Sequence, residues 1–150
     1  MLSHKKSILA GICLFSWTTL AWAQTSSCYV KFMKAQCWTE QRVTLHFIEA
    51  IEFEGKDKIT LPANKFSVRH KFKCDDYDTI TFATNFAPPI WEGEEDSWYQ
   101  SKQVFAVPKD QPTDEDWEIS LCFPYDFSSV PDIPDSDLQA CQCVPEEDTA

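Results

Sequence analysis

Hydrophobic and polar residues alternate along several segments of the chain, as they do in strands that bury one face. The longest such segment is 66–74, where aromatic and aliphatic side chains, His70 and Cys74 share one face and lysine, arginine and serine occupy the other. Shorter alternating segments lie at 43–47, 59–61, 80–82 and 119–123. Weaker strand candidates are 29–38, 48–53 and 103–107, and the first of these is equally compatible with a short helix capped by Ser27.

Turn-forming residues separate these segments and define the predicted fold class. Proline, glycine, asparagine or clustered acids fall at 54–57, 62–64, 88–89, 92–97 and 108–116. Six to eight short strands with this spacing predict an all-β protein, an antiparallel β-sandwich of Ig-like or similar type stabilised by disulfides. A partly closed β-barrel is the alternative.

The first 23 residues have the pattern of an export signal. Lys5 and Lys6 precede an apolar stretch, and Ala21 and Ala23 provide the small residues that a signal peptidase reads. The stretch is shorter than the roughly 20 residues that span a bilayer as a helix, so we expect cleavage after Ala23 and no membrane span in the mature chain. The remainder divides into a β domain at 24–130 and an irregular acidic tail at 131–150. This predicts a periplasmic or secreted protein.

Cysteine usage agrees with export. Residues 24–150 contain six of the seven cysteines. An even number in a small exported chain predicts up to three disulfides. Cys141 and Cys143 are two residues apart in a segment predicted to be extended, so we expect them to bond to different partners and to anchor the tail. The candidate disulfide residues are Cys28, Cys37, Cys74, Cys122, Cys141 and Cys143, and their pairing stays open.

Charge is unevenly distributed along an acidic chain whose formal net charge is -11. Residues 24–74 carry nine basic and five acidic side chains, whereas residues 75–150 carry two basic and nineteen acidic ones. The acidic half opposes binding to a phosphate backbone, so we expect no nucleic-acid partner. Acidic groups that keep an exported protein soluble are the simplest interpretation, and attraction of a basic partner is the functional one.

The strongest candidate for a binding surface is an acidic loop bordered by aromatic residues. Carboxylates there can attract a basic protein, and tryptophan and tyrosine at the loop's borders can anchor it, because these residues are enriched at binding hot spots. The same residues also suit a carbohydrate-binding or calcium-binding module, although the spacing is not that of an EF-hand. The predicted binding residues are Trp91, Glu92, Glu94, Glu95, Asp96, Trp98 and Tyr99. We expect the aromatic residues that border the loop to be partly exposed.

A second, basic feature lies on the polar face of segment 65–74. It comprises Lys65, Arg69, Lys71 and Lys73 and is called here the basic ridge. Lysines protect sheet faces and edges from aggregation, and these residues can pair with acids of the second half of the chain. As a functional alternative, the ridge could contact anionic glycans or lipid headgroups.

Catalytic motifs are scarce. The sequence contains no GxSxG or HExxH motif, and Gly55 and Gly93 are the two glycines left after residue 23, too few for a glycine-rich phosphate loop. We expect His70 to be buried in the core and His46 to be exposed on the opposite face from Val43 and Leu45. The sequence thus predicts a non-catalytic interaction domain without cofactor or metal, such as an inhibitor, a secreted effector or a secretion accessory protein. A small secreted hydrolase is the remaining alternative.

Overall fold

The protein is all-β in the part of the chain that the structure describes. The computed structural model describes residues 27–48, 58–74, 79–108, 116–133 and 141–144. No α-helix occurs in these ranges, and one short 3-10 helix spans Gln36–Trp38. The strands are β1 (Ser27–Lys34), β2 (Arg42–Phe47), β3 (Lys58–Leu61), β4 (Ser67–Lys73), β5 (Thr79–Ile80), β6 (Phe82–Ala87), β7 (Tyr99–Gln100), β8 (Phe105–Ala106) and β9 (Trp117–Phe123).

Two sheets form the body of the fold. The first has the order β4-β1-β9 and the second the order β3-β2-β6-β7, while β5 and β8 form a small separate pair. Within the described residues, the ladders end at β4 and β9 in one sheet and at β3 and β7 in the other. The sheets therefore do not close into a barrel, which excludes the alternative architecture.

The core lies between the inner faces of these sheets, in a sandwich-like arrangement. Phe47 of β2 packs edge-on against Phe72 of β4, with ring centroids 5.6 Å apart. Phe86 of β6 lies 6.0 Å from Phe123 of β9. Trp38 follows β1 and contacts both Phe86 and Phe123. Aromatic side chains bury large apolar areas, so these rings join the two sheets into a single core.

Most strands follow the predicted alternation, but in segment 80–82 Thr81 is buried and lies between β5 and β6. Three further differences concern other segments. Segment 29–38, for which a strand and a helix were both open, is the strand β1 followed by the 3-10 helix. Segment 103–107 contains only the two-residue strand β8, and residues 49–53 of the candidate 48–53 lie outside the described ranges. The third difference is that β1 and β9 pair in parallel, with Val30 opposite Ile119. A side-chain period of two is common to parallel and antiparallel strands, so alternation carries no signal for direction.

Three disulfides connect the described segments, as the cysteine count predicted. Cys28 bonds to Cys74 and joins β1 to the end of β4. Cys37 bonds to Cys141, whereas Cys122 of β9 bonds to Cys143. The expectation that Cys141 and Cys143 reach different partners is confirmed. Disulfides persist in oxidising compartments, and three of them agree with an extracellular or periplasmic location.

The N-terminal 23 residues and most of the tail lie outside the described residues. In the tail, 131–133 and 141–144 have no regular secondary structure. The Tyr125 hydroxyl donates a hydrogen bond to the Cys141 carbonyl. No helix in the described ranges is long and apolar enough to cross a membrane.

One lysine is buried inside the fold. Lys34 at the end of β1 has 0% relative exposure, and its ammonium donates to the carbonyls of Gln41 at 2.7 Å and Pro62 at 3.0 Å. Burial lowers the pKa of this ammonium, because desolvation disfavours the charged form. Lys34 therefore joins the loop before β2 to the turn after β3, a role that the alternating pattern did not reveal.

Candidate binding site on the outer face of one sheet

Polar side chains cover the outer face of the sheet formed by β3, β2, β6 and β7. Val43 and Leu45 point into the core from β2, so the residues that alternate with them lie on the outside. Register places Thr44 opposite both Thr60 of β3 and Asn85 of β6. The two threonine hydroxyls lie 3.3 Å apart and are hydrogen-bonded. This outer face carries Arg42, Thr44, His46, Lys58, Thr60 and Asn85.

The predicted acidic loop, residues 91–98, connects β6 to β7 at the edge of this face. Its two ends are held by the core, because Ile90 packs against the core and Tyr99 stacks on Phe86 with ring centroids 5.6 Å apart. Inside the loop, the Glu94 amide donates to the Trp91 carbonyl and the Ser97 amide donates to the Glu94 carbonyl. Gly93 provides the positive φ of 88° that the first of these turns contains.

Glu94 organises the loop through its side chain. One carboxylate oxygen accepts a hydrogen bond from the Trp91 amide at 3.3 Å, and the other lies 3.5 Å from the Tyr99 hydroxyl. Burial, followed by the nearby Glu94 carboxylate, raises the pKa of Tyr99. Glu94 is half-buried, whereas Glu92, Glu95 and Asp96 are exposed. Three of the four predicted acids are thus directed to solvent, and the fourth holds the turn.

The aromatic residues of the loop divide into exposed and buried ones. Trp91 and Trp98 retain 49% and 50% of their surface, which agrees with the predicted exposure. Tyr99 retains 8% and belongs to the core, so the expectation that it is partly exposed is wrong. The reason is the register: Tyr99 pairs with the inward-facing Thr84, and a residue opposite an inward position also points inward.

The indole of Trp98 extends back over the sheet and contacts His46. Their ring centroids are 4.3 Å apart and their planes are nearly perpendicular, at 89°. His46 is half-buried as a result, which corrects the expectation that it is exposed. His70 also differs from its prediction: it lies in β4 opposite Val30, on the inward face, but is half-buried rather than buried.

Together the sheet face and the loop enclose a cavity of about 530 Å³, called here the polar cavity. Its floor is the polar face described above, Trp98 and Glu95 line it from the loop, and Phe86 and Ala87 complete the lining. Two cations, Arg42 and Lys58, face one carboxylate, Glu95, so the lining has a positive formal charge in an acidic chain. The volume is within the range of small-ligand sites.

The cations of the polar cavity are not neutralised by described carboxylates. Among the described residues the ion pairs are those of Arg69, so neither Arg42 nor Lys58 has a described acidic partner.

Of these lining residues, sequence reasoning selected Glu95 and Trp98 and missed the two cations. The signal was present, since Arg42 and His46 alternate with buried residues on β2, but the strands beside β2 could not be assigned from the sequence.

The basic ridge lies on and just before β4 of the other sheet, and two of its members, Arg69 and Lys71, have described contacts. Arg69 pairs with Glu118 at 2.6 Å and Asp116 at 3.7 Å, and its guanidinium lies 3.6 Å from the centre of the Tyr29 ring. The hydrogen bond to Glu118 raises the pKa of Arg69. Lys71 lies over the same ring at 6.0 Å, and Lys65 is exposed. The side chain of Lys73 lies outside the described set. Arg69 thus meets acids of the second half of the chain.

In the described part of the chain, no three histidine, cysteine or acidic side chains gather in a way that could hold a metal ion. Comparison with protein-family models, curated proteins and solved structures finds no match. The geometry of the loop and of the polar cavity therefore carries the functional interpretation.

Proposed function

We propose that this protein is an exported, non-catalytic interaction domain that binds a basic protein through the loop at 91–98. The single observation that carries the proposal is the exposure of two tryptophans on either side of acids directed to solvent, in a loop fixed at both ends by the core. Exposed tryptophans on a preordered loop are suited to anchor a partner, because little conformational entropy is lost when they are buried.

The charges of the loop favour a basic partner. Glu92, Glu95 and Asp96 are exposed, and no described ion pair involves them. Carboxylates at the rim of an interface accelerate association with a basic protein, and salt screens this effect. An inhibitor of a basic hydrolase or toxin, a secreted effector and a secretion accessory protein all fit this mode of binding. The disulfides support a periplasmic or secreted location.

The test starts with affinity capture by the oxidised protein, produced from the full chain and purified without reductant. Extracts of the source organism and of any host are applied, and the column is washed at low and then at high salt. We expect one basic protein that is released by salt. If no basic protein is enriched over a column carrying a triple variant with Glu92→Gln, Glu95→Gln and Asp96→Asn, the proposal is wrong.

A matched control distinguishes the effect of the loop's carboxylates from the effect of the protein's net charge. Glu40 and Asp132 are exposed carboxylates outside the loop. We expect the variant with Glu40→Gln and Asp132→Asn to bind the captured partner as the unmodified protein does. The loop variant with Glu92→Gln and Asp96→Asn, which loses the same two charges, should associate at least about tenfold more slowly at low salt. Equal association rates for the two variants would assign the effect to net charge and not to the loop.

A further inference from the structure

The polar cavity has features that recognition of a basic protein does not use. Its floor is cationic and hydrogen-bonding, whereas the loop beside it is acidic. Arg42 and Lys58 line the cavity from its two ends and do not attract a basic partner, so the cavity calls for a different ligand. We propose that the polar cavity is a binding site for an acidic saccharide, a sugar ring that carries a carboxylate, as uronic acids do.

The register of the floor separates two functional ends. Arg42 lies opposite Ala87 at the start of β2, whereas His46 lies opposite Lys58 four residues further along. At about 3.4 Å per residue the floor is roughly 14 Å long. Thr44, Thr60 and Asn85 lie between the ends, and the indole of Trp98 reaches the His46 end. A ligand of one or two sugar rings matches these dimensions.

The Arg42 end suits the carboxylate. A guanidinium binds a carboxylate through two parallel hydrogen bonds, and Ala87 beside it leaves room for the group. Arg42 is exposed and has no described acidic partner, so it needs no rearrangement to receive an anion.

The middle of the floor and the Trp98 end suit the hydroxyl groups and the ring. Threonine hydroxyls and the Asn85 amide both donate and accept hydrogen bonds, which is the chemistry that sugar hydroxyls require. The Glu95 carboxylate accepts hydrogen bonds from hydroxyls, but it repels a ligand that is anionic throughout. This combination disfavours a ligand that is charged along its whole length, such as nucleic acid, and it favours one carboxylate among several hydroxyls. Inorganic phosphate has no hydroxyl-bearing ring for the Trp98 end.

The test is a titration of the oxidised protein with glucuronic acid, glucose and inorganic phosphate, followed by calorimetry and by NMR of the Trp98 indole and Asn85 amide. We expect glucuronic acid to bind at least about tenfold more tightly than glucose or phosphate, a difference of about 1.4 kcal/mol. Comparing glucuronic acid with its methyl glycoside and a short glucuronate oligomer distinguishes a free sugar from a glycan end. Phosphate that binds as tightly as glucuronic acid, or no binding of glucuronic acid at about 10 mM, a concentration that reaches ordinary weak affinities, overturns the proposal.

Two variants and a control locate the site. We expect Arg42→Gln to weaken glucuronic acid at least about tenfold and to lessen its preference over glucose, since Arg42 receives the carboxylate. Lys58→Gln should have a smaller effect, and Lys71→Gln, an exposed lysine on the other sheet, should have none. Equal losses with Lys71→Gln and Arg42→Gln would show nonspecific attraction. The two sites share Trp98 and Glu95, whereas Arg42 belongs to the floor alone. Arg42→Gln should therefore not weaken partner capture, and either proposal can fail without the other.

Discussion

Trp98 packs edge-on over His46, and this contact holds the half-exposed indole above the sheet. Perpendicular aromatic pairs stabilise by about 0.5–1.5 kcal/mol beyond the area they bury. We therefore expect a double-mutant cycle with His46→Ala and Trp98→Ala to give a coupling energy in that range, measured by urea unfolding. Trp91, which has no described ring contact, is the control. A cycle with His46→Ala and Trp91→Ala should give a coupling near zero, and equal couplings would contradict the assigned contact.

Lys34 predicts a specific dependence of stability on pH. Burial lowers the pKa of its ammonium in the folded state below the ordinary lysine value of 10.5, so the penalty for the buried charge is fully present at neutral pH. That penalty is lost as pH rises through the lowered folded pKa towards 10.5, because there the unfolded chain binds more protons than the folded one. The unmodified protein should therefore gain stability relative to Lys34→Met between pH 7 and pH 10.

The measurement is urea unfolding of both proteins at several pH values in that interval. Tyr99 acts in the opposite direction, because burial raises the pKa of its phenol, but it titrates in both proteins and cancels in the comparison. A difference in unfolding free energy that is constant with pH would show that Lys34 titrates as it does in the unfolded chain.

Thr84 offers a stabilising substitution. Its hydroxyl is buried on the inner face of β6 and has no hydrogen-bond partner among the described residues. An unsatisfied buried hydroxyl costs about 1–3 kcal/mol, and valine has nearly the same shape. We expect Thr84→Val to raise the free energy of unfolding by about 1 kcal/mol in urea titrations.

Thr44→Val is the matched control for Thr84→Val. The Thr44 hydroxyl bonds to that of Thr60 on the outer face, so its removal should give no gain in stability. A destabilised Thr84→Val protein would indicate that the hydroxyl has a buried partner, such as a water molecule.

The disulfides should differ in their contribution to stability according to the length of chain that each one encloses. Cys37–Cys141 spans 104 residues, Cys28–Cys74 spans 46 and Cys122–Cys143 spans 21. Loop-closure entropy then assigns about 4.7, 4.0 and 3.3 kcal/mol to them in that order. Paired cysteine-to-alanine variants, compared by thermal unfolding, should follow this ranking. A larger loss from the Cys122–Cys143 pair than from the Cys37–Cys141 pair would contradict the entropic explanation.

The sequence was most informative where a residue's environment depends on its own strand. Alternation identified the inward positions of β2, β4 and β9, and the proximity of Cys141 and Cys143 showed that they bond elsewhere. Two kinds of information were inaccessible. Arg42, Lys58 and Asn85 share a surface because β3 and β6 lie on either side of β2. These pairings join strands that are distant in the chain, and alternation within a strand does not reveal them. The buried amine of Lys34 is likewise explained by two carbonyls, one of them from the turn at Pro62, 28 residues away. A polar residue at the end of an alternating strand is ordinarily exposed.

The central position of β1 has a consequence for the order in which the protein can assemble. One edge of β1 pairs with β4, and the other pairs with β9, where Cys28 lies opposite Trp117. Among the described strands, the first in chain order therefore waits for the last, and a nascent chain that ends before residue 117 leaves an edge of β1 open to aggregation. This sheet can be completed only after β9 has been synthesised, and a chaperone that delays folding until then would protect the open edge of β1.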